Sequence, residues 1–214
     1  MEKINLTIET KSNLFIGGMP KRFEIGGVDM ETVTDYKGQP IIPASSLKGT
    51  LRKIAKEMEG KDEKAKQIGE AYKKHLGKLQ AEHKELRASR FNSEIAKASV
   101  ESLFGIQGFN DTPKLIFKDL ELKEEVAKWY SIDSKNKIEM NKKQIGANPR
   151  TYKTVRPGLV FRGEIILYCL EVLPVKGIKE FIKRALTQFN GGVYRLGNSK
   201  SRGYGYVVVQ FDEE

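Results

Sequence analysis

The run LVFRGEIILYCLEVL (residues 159–173), followed by GIKEFIKRALTQF (177–189) and GYGYVVVQF (203–211), decides the fold. The first piece is dense in β-branched, aromatic and leucine side chains and reads as a strong strand. In the second, Ile178, Phe181, Ile182 and Leu186 recur at helical spacing and share one side of an amphipathic helix. The third reads as a closing strand. Working outward, MEKINLTIET alternates Ile4, Leu6 and Ile8 with polar residues and predicts a first strand that ends near Thr10. The pattern turns helical from Ser45. Residues 56–90 are rich in Lys, Glu and Ala with sparse apolar positions, which predicts solvent-facing helices. EIAKASVESLFG predicts a short helix stopping at Gly105, and KLIFKDLEL from Lys114 a second strand. Residues 123–158 are polar and basic with little core-forming periodicity until Val155, which predicts a long projecting loop or hairpin. The order β, α, β, projection, β, α, β is the outline of an α+β, ferredoxin-like sandwich with insertions. The expected organisation is one domain over residues 1–214, with a helical insertion at 56–90 and a thumb-like projection at 132–155.

The chain carries 38 Lys and Arg against 28 Asp and Glu, a net charge of +10, so a polyanion is the expected partner. The same Lys- and Glu-rich composition also suits the surface ion-pair networks of heat-loving organisms. No apolar run is long enough to cross a membrane, and the N-terminus lacks a secretory apolar segment, so a cytoplasmic protein is expected. Cys169 is the single cysteine, which excludes a disulfide framework or a cysteine zinc site within the chain; inside an apolar run it reads as an inert core thiol. His75 and His83 both fall in the charged helical segment and read as surface side chains.

Two basic stretches locate the positive charge. In PIIPASSLKGTLRKI (40–54), Ser45 or Ser46 reads as a helix N-cap. Lys48 and Arg52 lie one turn apart on one face, and the free N–H groups of a helix start form an anion site. In GGVYRLGNSKSRGYGYV (191–207), five glycines stand among Arg195, Lys200, Arg202, Tyr204 and Tyr206. Exposed amides, charge and stacking faces together suit single-stranded nucleic acid; a flexible hairpin approach is the other reading. Gly192 and Gly197 have the spacing of a phosphate-cradling P-loop, but Asn198 follows where lysine is needed and the segment enters a strand instead of a helix.

Taken together, FEIGGVD (23–29), IIPASSLKGTLR (41–52), LFG (103–105), ANPR (147–150), the V-x-PG-x-x-F element from Val155 and LGNSKSRGYGYV (196–207) resemble the backbone subunit, Csm-type, of type III CRISPR effector complexes. That subunit belongs to the RAMP superfamily. The resemblance covers nearly the whole chain and is thinnest over residues 56–90. It implies a modified RNA-recognition-motif fold with a thumb-like hairpin. It also implies that copies of the chain stack along a CRISPR guide RNA beside other effector subunits, with a single-stranded target RNA paired to the guide. Such a subunit holds the backbone and leaves sequence to base pairing. The implied RNA contacts are Ser45, Ser46, Lys48 and Arg52, opposite a loop carrying Arg195, Lys200, Ser201 and Arg202, with Arg150 and Arg156 beside the thumb.

In relatives that cut target RNA, an aspartate in the loop after the first strand is catalytic, and Asp29 stands at the matching place; Asp35 is a second candidate. The chemistry is attack by a nucleotide's own 2′-hydroxyl on the adjacent phosphate, with a carboxylate accepting the proton or holding a divalent cation such as Mg2+. An aspartate beside glycines is also an ordinary loop cap, so a purely structural guide-binding subunit without nuclease activity is the alternative. Two departures bear on the site. Many relatives have glycine where Ala44 stands and histidine where Phe15 stands, so no imidazole assists there. Some relatives carry zinc, which one cysteine cannot bind in the same way, so no zinc is expected. A stand-alone repeat-processing ribonuclease ranks last, because that activity usually relies on histidine.

Overall fold

The computed structural model describes residues 2–18, 28–82, 88–124, 126–141 and 144–212, with the side chains at 88 and 136–149 also left out. His83, the basic run 20–22, the FEIGG glycines at 26 and 27, and the ANPR side chains before Arg150 therefore lie outside the described residues. In chain order the elements are β1 (Glu2–Thr10), β2 (Met30–Glu31), α1 (Ala44–Glu59), α2 (Glu63–Glu82), α3 (Ala88–Lys97), β3 (Lys114–Phe117) and β4 (Glu121–Leu122). After them come β5 (Tyr130–Asn141), β6 (Gln144–Val155), β7 (Val160–Tyr168), α4 (Ile178–Thr187) and β8 (Val207–Phe211). The main sheet runs β3-β7-β1-β8, with β4 also on β7, and a second sheet runs β2-β6-β5. With helices between β1 and β3 and again between β7 and β8, the main strands have the βαββαβ order of a ferredoxin-like α+β fold.

The periodicities explain the elements. Ile4, Leu6 and Ile8 of β1 are fully buried, as are Phe181, Ile182, Ala185 and Leu186 of α4, the expected apolar side. Three boundaries differ from the sequence reading. First, β7 ends at Tyr168, because Cys169 adopts a left-handed φ of 53° and turns the chain into a short 3-10 segment, Leu170–Val172; Cys169 is consequently half-buried and not a core thiol. Second, the single strand expected from Lys114 is two, β3 and β4. Between them Leu120 folds over Gly163, where a Cβ would lie 2.7 Å from its Cγ. Third, the helix expected over residues 94–105 is split: Glu94–Lys97 is the end of α3, and Val100–Phe104 is a separate 3-10 turn capped by the Ser99 hydroxyl, which accepts from the Glu101 N–H.

The chain divides into two compact units, with β1, β7 and α1 running from one into the other. The first comprises Met1–Asn5, Lys48–Lys118 and Glu164–Gln188. Its centre is α2, which packs with α3, α4 and the 3-10 turn. Although residues 56–90 read as solvent-facing, α2 buries Ala65, Ile68, Gly69, Ala71, Tyr72 and Leu76, a sparse stripe at helical spacing. The Tyr72 hydroxyl donates to the Pro113 carbonyl at 2.7 Å, and burial raises its phenol pKa well above the ordinary value. Asp62 caps α2: its Oδ1 accepts from the N–H groups of Lys64 (2.8 Å) and Ala65 (3.3 Å), and its Oδ2 from Arg184 (2.6 Å).

Partial burial pushes the Asp62 carboxyl up, but Arg184 and the capped amides outweigh it and hold the group below its ordinary range. Asp62→Ala should therefore cost about 1 kcal/mol for the cap, plus a fraction of a kcal/mol for a half-exposed ion pair. Because the folded value is depressed, this contribution is complete above the ordinary aspartate range and is lost as pH falls through the folded value. Denaturant melts of wild type and variant should converge at low pH.

The second unit comprises Leu6–Leu47, Asp119–Gly163 and Phe189–Glu214. In it β1 pairs antiparallel with β8, and Leu14 exchanges both backbone bonds with buried Val155 at 2.9 and 2.8 Å. Over residues 130–155, two residues more than the expected projection, the chain forms two 12-residue strands, β5 and β6, paired in register from Tyr130↔Val155 to Asn141↔Gln144. No described helix is long and apolar enough to cross a membrane.

Candidate functional site

Asp29 lies just before β2, which pairs in parallel with β6 through Met30↔Tyr152 and Glu31↔Lys153. A reciprocal clasp joins it to Thr151. The Asp29 Oδ2 accepts from the Thr151 N–H at 2.6 Å and from the Thr151 hydroxyl at 3.0 Å, and the Asp29 N–H donates to the Thr151 Oγ1 at 3.2 Å. Asp29 is exposed. The Thr151 amide first, then its hydroxyl, and then the charge of Arg150 hold its carboxyl below the ordinary aspartate range. The group is thus ionised at neutral pH, oriented through one oxygen and flanked by a cation. Asp35 is different. Its Oδ1 accepts from the N–H groups of Lys37 (2.9 Å) and Gln39 (2.8 Å), which makes it a turn cap.

Beside this clasp, side chains from three segments of the same unit meet at the base of the hairpin. Asp133 on β5 accepts from the Tyr204 hydroxyl and, at 2.9 Å, from Asn13 Nδ2. The Lys135 ammonium stands over the rings of Tyr204 and Tyr152, at 3.6 and 4.9 Å from their centroids. Phe15 is buried and meets Tyr152 edge-on at 5.3 Å, so it is a packing residue here. None of Thr151, Lys135, Asp133 or Tyr152 was singled out from sequence. The available signal was the i, i+2 spacing of Asp133 and Lys135 within a stretch that lacked apolar alternation.

The 191–207 segment closes on itself: Leu196 N–H donates to Gly205 O at 2.9 Å, Gly205 N–H to Asn13 O at 2.8 Å, and Asn198 N–H to Phe15 O at 2.7 Å. Lys200, Ser201 and Arg202 form an exposed 3-10 turn at its tip. Arg195 is turned inward, its Nε donating to Gly192 O at 3.0 Å, and Arg156 likewise donates through Nε to Lys128 O.

The start of α1 departs from the sequence reading. The helix begins at Ala44, so Ser45 and Ser46 lie inside its first turn, and the Asp119 carboxylate accepts from the Ala44 N–H at 2.7 Å. One of the amides expected to face a phosphate already has an anion. Lys48 and Arg52 follow on α1 within the other unit. There Arg52 Nε pairs with Glu101 at 3.0 Å, and Lys56 also reaches Glu101 at 3.0 Å. Partial burial pushes Glu101 up, but these two cations outweigh it and hold it below its ordinary range. The structure thus brings Asp29, Arg150, Lys135 and Arg202 toward one hairpin base, while Arg52 has a protein counter-ion. Among the described residues, no three His, Cys, Asp or Glu side chains come together to hold a metal. His75 is half-buried on α2, and burial followed by the nearby Lys78 lowers its pKa.

A chain from Methanocaldococcus jannaschii described as "CRISPR system Cms endoribonuclease Csm3" is 26% identical over 208 residues, covering 94% of this chain and 75% of that one. Among solved structures, a chain of the type III-B Cmr-beta complex bound to cognate target RNA matches with a TM-score of 0.59 at 18% identity. That match covers 98% of this chain, which spans 59% of the solved chain's length. The family model described as the RAMP superfamily matches residues 7–208, and the chain therefore belongs to the RAMP superfamily.

Proposed function

We propose that the chain is a backbone subunit of a cytoplasmic type III CRISPR ribonucleoprotein. In this reading copies of it bind a guide RNA beside other effector subunits, and Asp29 serves cleavage of the paired target RNA. The observation that carries this is the exposed, ionised Asp29 clasped to the hairpin strand at Thr151 and flanked by Arg150. The similarity to an endoribonuclease of a CRISPR system over nearly the whole chain supports it.

A carboxylate with a depressed pKa is a weak base, so Asp29 serves better by accepting a hydrogen bond from the attacking 2′-hydroxyl, orienting it, than by taking its proton outright. The clasp leaves the group aimed by Oδ2 alone. In the reaction the 2′-oxygen bonds to phosphorus, the bond from phosphorus to the 5′-oxygen breaks, and the proton passes to the leaving oxygen through the carboxylate or water. A divalent cation such as Mg2+ fits a single carboxylate completed by RNA phosphate oxygens, and Asp29 is the residue that would hold it. When bound, such an ion supplies charge stabilisation to the phosphate. The alternative, a structural guide-binding subunit, is favoured by the clasp itself, since a loop aspartate bonding a neighbouring strand is also how a loop is pinned.

RNA binding tests the reading. The affinity for a labelled oligouridine should fall steeply with salt, by about 0.7 in log–log slope per phosphate neutralised. Lys48→Ala should weaken binding several-fold and equally for oligouridine and oligoadenosine. Arg52→Ala should cost less, because its guanidinium is already paired with Glu101. Flat salt dependence, or a Lys48→Ala loss that depends on base sequence, would count against the proposal.

A further inference from the structure

Lys135 is held in a way that a cation on a free strand is not. Its ammonium lies over two tyrosine rings and 3.5 Å from the Ser199 hydroxyl, and it is half-buried. Directly across the antiparallel ladder from Lys135 stands Arg150. Opposed residues share a face, and like charges directly opposite one another are destabilising. Arg202, from the 3-10 turn of the 191–207 loop, adds a further positive charge: burial first and then Arg202 push the Lys135 pKa down, against the opposing pull of Asp133. That carboxylate, two residues back on the same strand face, already accepts at Oδ2 from both Tyr204 and Asn13. The loop contributes no relief, since residues 191–207 carry three cations and no acid. Lys135 and Arg202 therefore meet at one partly desolvated place whose carboxylate, Asp133, is already shared with Tyr204 and Asn13, and what the arrangement wants is an anion.

We propose that Lys135 and Arg202 seat one phosphodiester group of single-stranded RNA at the hairpin base, with the Ser199 hydroxyl donating to it. The inference rests on the RNA-binding reading above and deepens it. A phosphodiester chain fits better than an isolated acidic side chain, because Arg150 continues the positive row from Lys135 and its charge also reaches Asp29. An RNA strand held at Lys135 would carry its next phosphates along that row toward the carboxylate. In register, Ser134 lies opposite Thr151, the residue clasping Asp29, so the clasp is one strand position from the seat, with the Thr151 side chain on the other face of the ladder and the Arg150 charge linking the two. Lys135 is thus a positioning residue for the strand.

The test measures binding of the full chain to labelled oligouridine between about 50 and 200 mM salt. Lys135→Met, which keeps the stem and removes the charge, should reduce the log–log slope by about 0.7 and weaken binding several-fold at low salt. Lys135→Arg should restore the slope, and Lys78→Met, an exposed lysine on α2, should leave it unchanged. Matched thermal melts exclude misfolding, and if Lys135→Met melts early, Arg202→Gln at the exposed turn reports the same phosphate. An unchanged slope in Lys135→Met overturns the seat while leaving RNA binding intact, whereas a flat slope in wild type sinks the RNA-binding reading itself. Equal loss in Lys135→Met and Lys135→Arg also overturns it, because packing and not charge would then be at work. If Lys135→Met instead changes self-association without RNA and leaves the slope alone, the site takes an acidic protein surface and the proposal fails.

Discussion

Asp29→Ala is expected to reduce target-RNA cleavage by the assembled, guide-loaded complex on the order of 10²- to 10⁴-fold, with affinity for guide and target equal or slightly higher. A carboxylate repels a phosphate backbone, so its removal costs no electrostatic attraction. Its value would lie in the transition state, where an oriented acceptor or a held cation acts on the reacting groups. If it holds a divalent ion, chelation should reproduce the loss in wild type. Thr151→Val is the finer probe, because it removes the hydroxyl donor at 3.0 Å and keeps the amide donor at 2.6 Å. Cleavage that needs ionised Asp29 falls as pH drops through its pKa, which the Thr151 amide and hydroxyl hold below the ordinary range. Losing the hydroxyl raises that pKa, so the acid limb of the single-turnover pH profile should move to higher pH. Asp35→Ala should cut normally, since Asp35 caps the turn at Lys37 and Gln39. Normal cutting by Asp29→Ala, or joint loss of binding and cutting, would remove Asp29 from catalysis and leave the structural reading.

What was legible in the sequence is what short-range periodicity encodes. The α4 stripe and the β1 alternation follow from residues within two turns or two strand steps of one another, and both are buried as expected. What was not legible depends on partners far along the chain. Asp119 reaches the first turn of α1 across 75 residues, and Thr151 clasps Asp29 across 122. No local pattern announces either. The projection was expected as a loop or hairpin, but its strand pairing and register were hidden for a related reason. Its strands are polar along much of their length, so register is carried by ladder bonds and by Val155 against Leu14, and the hydrophobic alternation that marks a half-buried strand is missing. In α2 the opposite happened: abundant Lys and Glu masked a buried stripe of Ala65, Ile68, Gly69, Ala71, Tyr72 and Leu76, half of it small residues that carry little hydrophobic signal.

Gly205→Ala should open the 191–207 loop and with it much of the RNA affinity. At φ +74° an alanine pays about 1–2 kcal/mol for a left-handed backbone, and its Cβ would lie 1.9 Å from the Leu196 carbonyl oxygen. That atom belongs to the backbone and cannot rotate away. Either Leu196 N–H to Gly205 O or Gly205 N–H to Asn13 O must break, at about 1–3 kcal/mol for a group left without a partner. Gly197 stands in the same position at the other end of the loop, at φ +72° with a Cβ 2.2 Å from the Phe15 carbonyl oxygen. Gly203 separates strain from collision. It also has a positive φ, +91°, but no atom within 4 Å of its Cβ, so Gly203→Ala should cost only the backbone term. Hydrogen exchange should therefore show loop amides 196–205 deprotected in Gly205→Ala and Gly197→Ala and nearly unchanged in Gly203→Ala, with β1 protected throughout. RNA affinity should fall in the same order. If Gly205→Ala exchanges and binds like Gly203→Ala, the closed loop is not what presents Lys200, Ser201 and Arg202, and charge alone accounts for their attraction to RNA.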